Sequence, residues 1–591
     1  MAAPIAALLA PLSLWFNAVN NTVPEPYLDE VFHIRQAQHY CLSHWDIWDP
    51  KITTPPGLYL LSYTLQPLIG CSIPALRFLN VICLFALLLV VRATYTVRRR
   101  TNHERGRVSS VLATHSALNI VLFPPLFFFS ALYYTDVAST LSVVVFYWYF
   151  LKCLPQGKLS VGRIMVQTVL GLLSLMFRQT NIFWVAVMPA ILTTVVELDQ
   201  GHKVVKESMY RRAEGFGDSM MSLARTSWKM GVVYDPPVRD AFFEDYIRTL
   251  LSLSVCFLRT LTRPPHLLSI LRALLPSILL LSSFLTFILL NGSVVLGDKS
   301  NHVATPNIPQ LLYHQTFTAF FAWPLLLPQF LLVPLTLLSH LTLPFCRIEP
   351  LLIFRRRNLL PRLSLFVAFT ALAMVIVYAN TTIHPFLLAD NRHYYFYIFR
   401  LIMRPWWVRY ALCPVYILCG WAVIHTRGTP LPIQPTTSSP GRSQPSQQEK
   451  KQEATEPMAQ SAPSIARTRS ISLPTGTTPP TISFALTLLF TTALTLCTAP
   501  LVEPRYCIVP YIFWRMHVPL SSPSLTHESA IMRSQGKEGK MSWAEVLREY
   551  DWRVVVETVW LLAVNAVTGW VFLNKGFAWP QEPGMVQRFM W

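Results

Sequence analysis

Apolar runs of about twenty residues alternate with short polar strings along most of this chain, the spacing of a polypeptide that crosses a bilayer repeatedly. The runs fall at 3–20, 76–97, 108–129, 134–151, 163–177, 182–197, 268–290, 311–342, 359–379, 408–425, 482–500 and 554–573. They predict an all-α polytopic membrane protein with about twelve transmembrane helices. The run 311–342 is longer than one span needs, and Pro324, Pro328 and Pro334 interrupt it, so a tilted or kinked helix is expected. The first run lacks the basic leader and small-residue cleavage site of a signal peptide and reads as a retained helix. No internal repeat is visible, unlike the inverted repeats common in transporters.

Arginines set the orientation. Arg98, Arg99, Arg100, Arg105 and Arg107 follow the second run, and the positive-inside rule puts them in the cytosol. The polar stretch 24–59 that precedes the run is then lumenal. In the same alternation Lys152, Lys158, Arg163, Arg347 and Arg355–Arg357 are cytosolic, and the sequons at Asn20, Asn291 and Asn380 are lumenal. The loop 198–266 carries both signs of charge, and its segment 238–261 suits an amphipathic helix on the cytosolic face. Residues 427–480, rich in Pro, Ser, Thr and Gln, read as a disordered cytosolic linker. The chain thus divides into a membrane core (1–426) with a lumenal loop at 21–75, the linker, and a C-terminal membrane segment (481–591) holding a hydrophilic insertion at 514–553.

Composition agrees with a membrane protein: 52% of residues are hydrophobic and 13% charged, against roughly 45–50% and 25% in soluble domains. The net charge of +19 is scattered at the ends of apolar runs rather than gathered in a stripe, so nucleic acid is not an expected partner, and membrane lipid is. The ten cysteines form no CxxC pair, which leaves no zinc or redox motif. Cys41 and Cys71 flank the first polar loop and could pair in an oxidising lumen, although two separate thiols are expected. Phosphate-loop, GxSxG and HExxH signatures are absent from the sequence, so nucleotide-driven transport and serine or zinc hydrolysis have no support.

The candidate chemistry gathers in 24–59. Pro24 and Pro26 favour a helix that starts near 26. At about 100° per residue, Asp29, His33, Gln36 and Tyr40 share a polar stripe, while Val31, Ile34, Ala37 and Cys41 fall on another side. Asp29, in the first turn, is favoured as a carboxylate by the helix dipole and can serve as a general base. Glu30 points about 100° away. The strings YYTD (133–136), FRQTN (177–181), GDKSNH (297–302), LADNRHYYFY (388–397) and EPRY (503–506) fall on the same side. Together they supply carboxylates (Asp29, Glu30, Asp136), cations (Arg178, Lys299, Arg392, Arg505) and imidazoles (His33, His302, His393), a mixture suited to a lipid phosphate and a polar acceptor. Taken singly, each reads first as an interfacial anchor or a helix cap, as Tyr394, Tyr395 and Tyr397 do for an aromatic belt; their convergence on one face is what favours a functional reading.

PYLDEVFHIRQAQHYC (26–41), WDPKITTPPGLY (48–59), FRQTNI (177–182), GDKSNH with PQLLY (309–313), LLADNRHYYFY (387–397), EPRY and QRFMW (587–591) carry a resemblance in order and spacing. The chain resembles the dolichyl-phosphate-glucose-dependent α-1,2-glucosyltransferase family of the endoplasmic reticulum, which adds the last glucose to the lipid-linked oligosaccharide of N-glycosylation. The resemblance covers most of the membrane core but not 198–266, 427–480 or 514–553. It implies a GT-C-type helical bundle in the endoplasmic reticulum membrane with a lumenal active site. The implied donor is dolichyl β-D-glucosyl phosphate, the acceptor is a diglucosylated dolichyl-diphosphate oligosaccharide, and the anomeric centre inverts. Asp29 and Glu30 stand where such enzymes carry a catalytic acid or acidic pair. Under this reading Tyr27, His33 and Gln36 orient the acceptor, and Arg392, His393, Arg505 and Arg178 hold the donor phosphate. No metal or other cofactor is expected. A transporter or flippase of a lipid-linked sugar, another dolichyl-phosphate-sugar transferase of the same architecture, and a non-catalytic scaffold are the alternatives.

Overall fold

A computed structural model describes residues 2–101, 107–154, 160–201, 216, 219–238, 241–299, 305–341, 361–381, 390–427, 480–499, 501–520, 550–578 and 584–591. Almost all of the linker, the centre of the hydrophilic insertion, His302 and the arginines at 105, 347 and 355–357 lie outside these residues. The fold is all-α. Its first helices are α1 (Ala2–Thr22), α2 (Glu30–Cys41), α3 (Gly57–Ile69), α4 (Ile73–Thr101), α5 (Arg107–Val121), α6 (Pro124–Phe129), α7 (Thr135–Cys153) and α8 (Val161–Leu175). A single two-residue strand pair, Phe577–Ala578 with Val586–Gln587, is the only sheet among the described residues.

Over its described residues each apolar run falls on one helix or on two successive ones. Among the described residues six helices are long and apolar enough to cross a membrane, and a seventh is gained when Pro264–Ala273 and Leu275–Asn291, bent by 63°, count as one, which leaves the expected twelve unconfirmed. The protein is a polytopic membrane protein. Helix α4 packs along α7 and α5, and Pro309–Leu341 along Cys413–His425 and Trp552–Asn574. Their facing side chains, among them Leu84, Leu87, Val137, Val144, Phe321 and Leu561, merge into one large core. Leu363–Asn380 instead leaves Val367, Leu372, Val375 and Tyr378 exposed, a surface for acyl chains to cover.

The kink expected in the long helix has a visible cause. Pro324 has no N–H to give to the Phe320 carbonyl four residues back, and the chain leaves helical geometry at Ala322 (φ −109°, ψ 16°). The indole Nε1 of Trp560 donates to that carbonyl at 2.9 Å, so no acceptor is stranded in the apolar interior.

Two expectations are corrected here. Cys41 and Cys71 are joined as a disulfide, because the packing of α2 against α3 brings their Cα atoms to 6.6 Å. The segment 514–520, assigned by its sequence to the insertion, belongs to the bundle. Helix Ile508–Met516 is buried at every residue but Val509, with Arg515 paired to Glu557 at 2.6 Å. This short helix runs back through the bundle, which an even count of twelve crossings omits. It brings the last residues to the same end as the Asp29 loop.

The amphipathic helix of the 198–266 loop spans Phe243–Leu261. Its polar stripe of Asp245, Thr249, Ser252 and Arg259 packs inward, and Ile247, Leu250, Phe257 and Leu258 face outward. That orientation suits a helix lying against lipid.

Candidate functional site

The loop between α1 and α2 is anchored by Glu30. Glu30 and Arg77 are both fully buried, and their ion pair is bidentate: Arg77 donates from Nε to Oε1 at 2.9 Å and from Nη2 to Oε2 at 2.7 Å. The Tyr133 N–H donates to Oε1 at 2.6 Å and the Tyr27 N–H to Oε2 at 3.1 Å. Arg77 also reaches the carbonyls of Val23 and Glu25 at 2.7 and 3.0 Å, closing the loop around one guanidinium. Glu30, expected in a catalytic pair, is enclosed behind Asp29 by these bonds. Its four acceptor positions are filled, and its burial leaves no face for a substrate.

Asp29 is presented differently. Leu28 adopts φ 55°, a left-handed conformation that costs a branched side chain roughly 1 kcal/mol or more. That turn breaks the helix expected from 26, so α2 begins at Glu30 with Asp29 as its N-cap. The Asp29 side chain makes no capping bond and keeps half of its surface accessible. It reaches Arg505 Nη1 at 3.3 Å. Arg505 is simultaneously held by Glu503, at 3.1 Å through Nε and 2.9 Å through Nη2, and lies over the rings of Phe129 and Tyr134.

Around this bridge stand two more pairs. Arg178 donates to Thr135 Oγ1 at 3.1 Å and pairs with Asp136 at 3.0 Å. Arg392 grips Asp390 through Nε and Nη2 at 2.9 and 2.8 Å and donates to Gln587 at 3.2 Å. Arg178 is placed by a close approach of α3 to the end of α8. The Gly57 N–H donates to the Met176 carbonyl at 2.8 Å, and a Cβ at 57 would stand 2.5 Å from that oxygen.

His33 lies one turn from Asp29, with Nδ1 2.6 Å from the Tyr59 hydroxyl. His393 approaches Asp390 at 3.7 Å and the Trp591 carbonyl at 3.3 Å. Charge coupling ties the groups into one cluster: His33 is acted on by Asp29, Arg505, Arg178 and Asp136, and His393 by Asp390, Glu503, Arg505 and Asp29.

Burial pushes the His33 imidazole down to about 4, only partly offset by Asp29, so it is neutral at pH 7. His393 is lowered for the same reason, against the pull of Asp390. Burial would raise the Asp29 carboxyl, but Arg505, with help from His33 and His393, outweighs it and holds the group below the usual carboxylate range. The site is thus a half-open carboxylate, kept ionised, beside a neutral imidazole and three guanidinium groups.

The stripe predicted on α2 is only half realised. Asp29 and His33 face the cluster. Gln36 is buried, donating to the Ile47 carbonyl at 2.8 Å and accepting from the Asp49 N–H at 2.9 Å, so its amide is engaged with the 45–49 loop. Tyr40 packs on Trp45 and Tyr59. The Tyr27 hydroxyl, expected to orient the acceptor, is turned to the Arg588 backbone. Lys299 gives its Nζ to the Asn291 carbonyl at 2.7 Å.

Asp136 is among the carboxylates that the sequence offers, whereas Asp390 and Glu503 are not singled out by it. A signal for these two exists. An acid two residues before an arginine occurs at 390/392, 503/505 and 551/553, and each time the two side chains pair.

Fold and site define a polytopic helical membrane protein that gathers a charged, arginine-bridged carboxylate cluster at one end of its bundle. The sequence profile of the DIE2/ALG10 family matches residues 23–516, and the chain belongs to that family. A relative in Emericella nidulans, named Dol-P-Glc:Glc(2)Man(9)GlcNAc(2)-PP-Dol alpha-1,2-glucosyltransferase, is 39% identical over 638 aligned residues, covering 100% of this chain and 98% of its own. Relatives of the same name in Mus musculus and Homo sapiens are 30% and 29% identical, each covering 98% of this chain and 96% of their own. No solved structure matches the chain.

Proposed function

We propose that this protein transfers glucose from dolichyl phosphate glucose to the diglucosylated dolichyl-diphosphate oligosaccharide Glc(2)Man(9)GlcNAc(2)-PP-Dol, forming the α-1,2 linkage at the lumenal face of the endoplasmic reticulum membrane. Full-length similarity to relatives with that named activity supports the reaction. The Cys41–Cys71 disulfide beside α2 supports the lumenal side, since such bonds persist in oxidising compartments. The observation that carries the chemistry is Asp29, an ionised carboxylate with half its surface open in an otherwise enclosed cluster.

The reaction is a single displacement. The acceptor glucose 2-hydroxyl forms a bond to C1 of the β-linked donor as the C1–O bond to phosphate breaks. The bonding pair leaves on the dolichyl phosphate oxygen, the hydroxyl proton passes to Asp29, and the anomeric centre inverts without a covalent intermediate, by analogy with inverting glycosidases. A carboxylate held below its usual range is a weak base in the ground state. It acts late, when the attacking oxygen has become strongly acidic through bond formation. His33, neutral and fixed by Tyr59, orients that hydroxyl. Arg505 and Arg178 stabilise the charge growing on the phosphate, while Arg392 and His393 hold its far side. The guanidinium groups can carry that charge without a metal ion.

The test is glucose transfer by the purified protein in detergent, with wild type and Asp29→Asn side by side. Transfer by wild type and a loss of roughly a hundredfold or more in a variant that still binds donor is the expected result. Equal transfer by both would move the base to Asp136. Uptake of lipid-linked sugar into vesicles with no glycosidic product would replace the enzyme by a transporter.

A further inference from the structure

The motif QRFMW has no part in the displacement, and the family profile ends at 516, yet these residues are built into the site. Gln587, Met590 and Trp591 are buried. The Arg588 N–H donates to the Tyr27 hydroxyl at 2.7 Å, and that hydroxyl donates back to the Arg588 carbonyl at 2.8 Å. The Met590 N–H donates to the Arg392 carbonyl at 2.9 Å, and the Tyr394 N–H to the Met590 carbonyl at 3.1 Å, a short parallel bridge that flanks His393. The Arg588 guanidinium caps the last membrane helix through the carbonyls of Phe572 and Leu573 at 2.9 and 2.7 Å. One strand of five residues therefore bonds to the end of that helix, to the residue two before Asp29, and to the backbone of Arg392 and Tyr394.

We propose that residues 587–591 and Tyr27 form a positioning clasp that fixes the base side of the site, Asp29, at a set distance from its phosphate side, Arg392 and His393. The inference rests on the glucosyl-transfer reading above. The physical case is that the two sides come from segments more than three hundred residues apart. Tyr27 is joined to Asp29 only through Leu28, whose left-handed turn transmits any shift of Tyr27 directly. Tyr27 is also held from below by its N–H bond to Glu30, so hydroxyl and amide together set the loop in two directions. A displacement reaction is steeply sensitive to such placement, with a misplacement of about 1 Å able to cost a hundredfold. Tyr27, Arg588 and Met590 are positioning residues, since they act through their neighbours.

The experiment uses full-length protein in detergent, with active sites counted by binding of dolichyl phosphate and transfer measured per site. Tyr27→Phe keeps the ring against Phe572 and removes both bonds to Arg588. Met590→Pro removes the N–H that Arg392 accepts. Each is expected to lower kcat per binding site by about 10–100-fold with donor KM within about threefold of wild type. A merely structural strand would give fewer binding sites with unchanged kcat per site, and that result overturns the clasp. So does a kcat per site within about twofold of wild type in both variants. If wild type itself binds dolichyl phosphate and transfers nothing, the glucosyl-transfer reading fails first, and the clasp with it.

Discussion

Glu30 and Asp29 are neighbours in sequence, and substituting each should give opposite phenotypes. In Glu30→Gln the amide retains one oxygen and places an NH2 where two donors converge. Of the four donors now directed at the carboxylate, from Arg77, Tyr133 and Tyr27, the two aimed at the replaced oxygen are left without an acceptor. Arg77, which is fully buried, keeps its charge without a counter-ion. Removing one partner of such a pair costs about 3–5 kcal/mol. The thermal midpoint in detergent should fall by about 2–4 °C, and yield should fall with it. Glu30→Leu combined with Arg77→Met should recover part of the loss, because no charge is then stranded. Recovery stays incomplete while the Tyr27 and Tyr133 N–H groups lack acceptors. Asp29→Asn should leave the midpoint near wild type, since the Asp29 side chain is half exposed and its pair with Arg505 spans 3.3 Å. The assay is thermal unfolding and glucose transfer per donor-binding site on the same preparations. A Glu30→Gln protein with wild-type stability and no turnover would refute this division and return Glu30 to the catalytic centre.

Other outcomes follow from the same geometry. Because Asp29 is held below the carboxylate range and His33 at about 4, kcat/KM should be level from about pH 6.5 to 8, and an acid limb with a midpoint of 6–7 in still-folded protein would assign the base to a histidine. His33 and His393 are depressed in the folded state, so below about 6.5 the unfolded chain binds protons that the folded one does not. Stability should fall from there toward about 4, as thermal unfolding across that range will register. Cys41→Ser with Cys71→Ser opens a loop of 30 residues, and the chain-entropy relation puts the loss at about 3–4 kcal/mol; an unchanged midpoint under reducing agent would show the bond contributes nothing. Transfer should persist after exhaustive EDTA treatment, and its restoration only by an added divalent cation would mean that a metal shares the phosphate charge with Arg505 and Arg178.

Much of the architecture was legible because the bilayer imposes it. An apolar run must become a helix to satisfy its own backbone in lipid, so the runs mark most of the membrane helices. The acid–x–arginine pairs are likewise local, since two side chains at that spacing meet without help from the fold. The family resemblance rested on strings of this kind. What periodicity alone could not decide is which face of a helix meets which neighbour. Asp29, His33 and Gln36 share a stripe on paper, yet the 45–49 loop closes over Gln36 and α4 delivers Arg77 behind Glu30, so adjacent residues part into site and foundation. The buried passage of Ile508–Met516 is nine residues long, too short to register as a span, and it alone decides that QRFMW returns to the Asp29 end. The disulfide, the Trp560 bond to the kinked helix and the clasp at Tyr27 all join residues far apart in sequence. Such contacts depend on how helices pack around one another, and packing is set by the shape of the whole bundle rather than by any one segment.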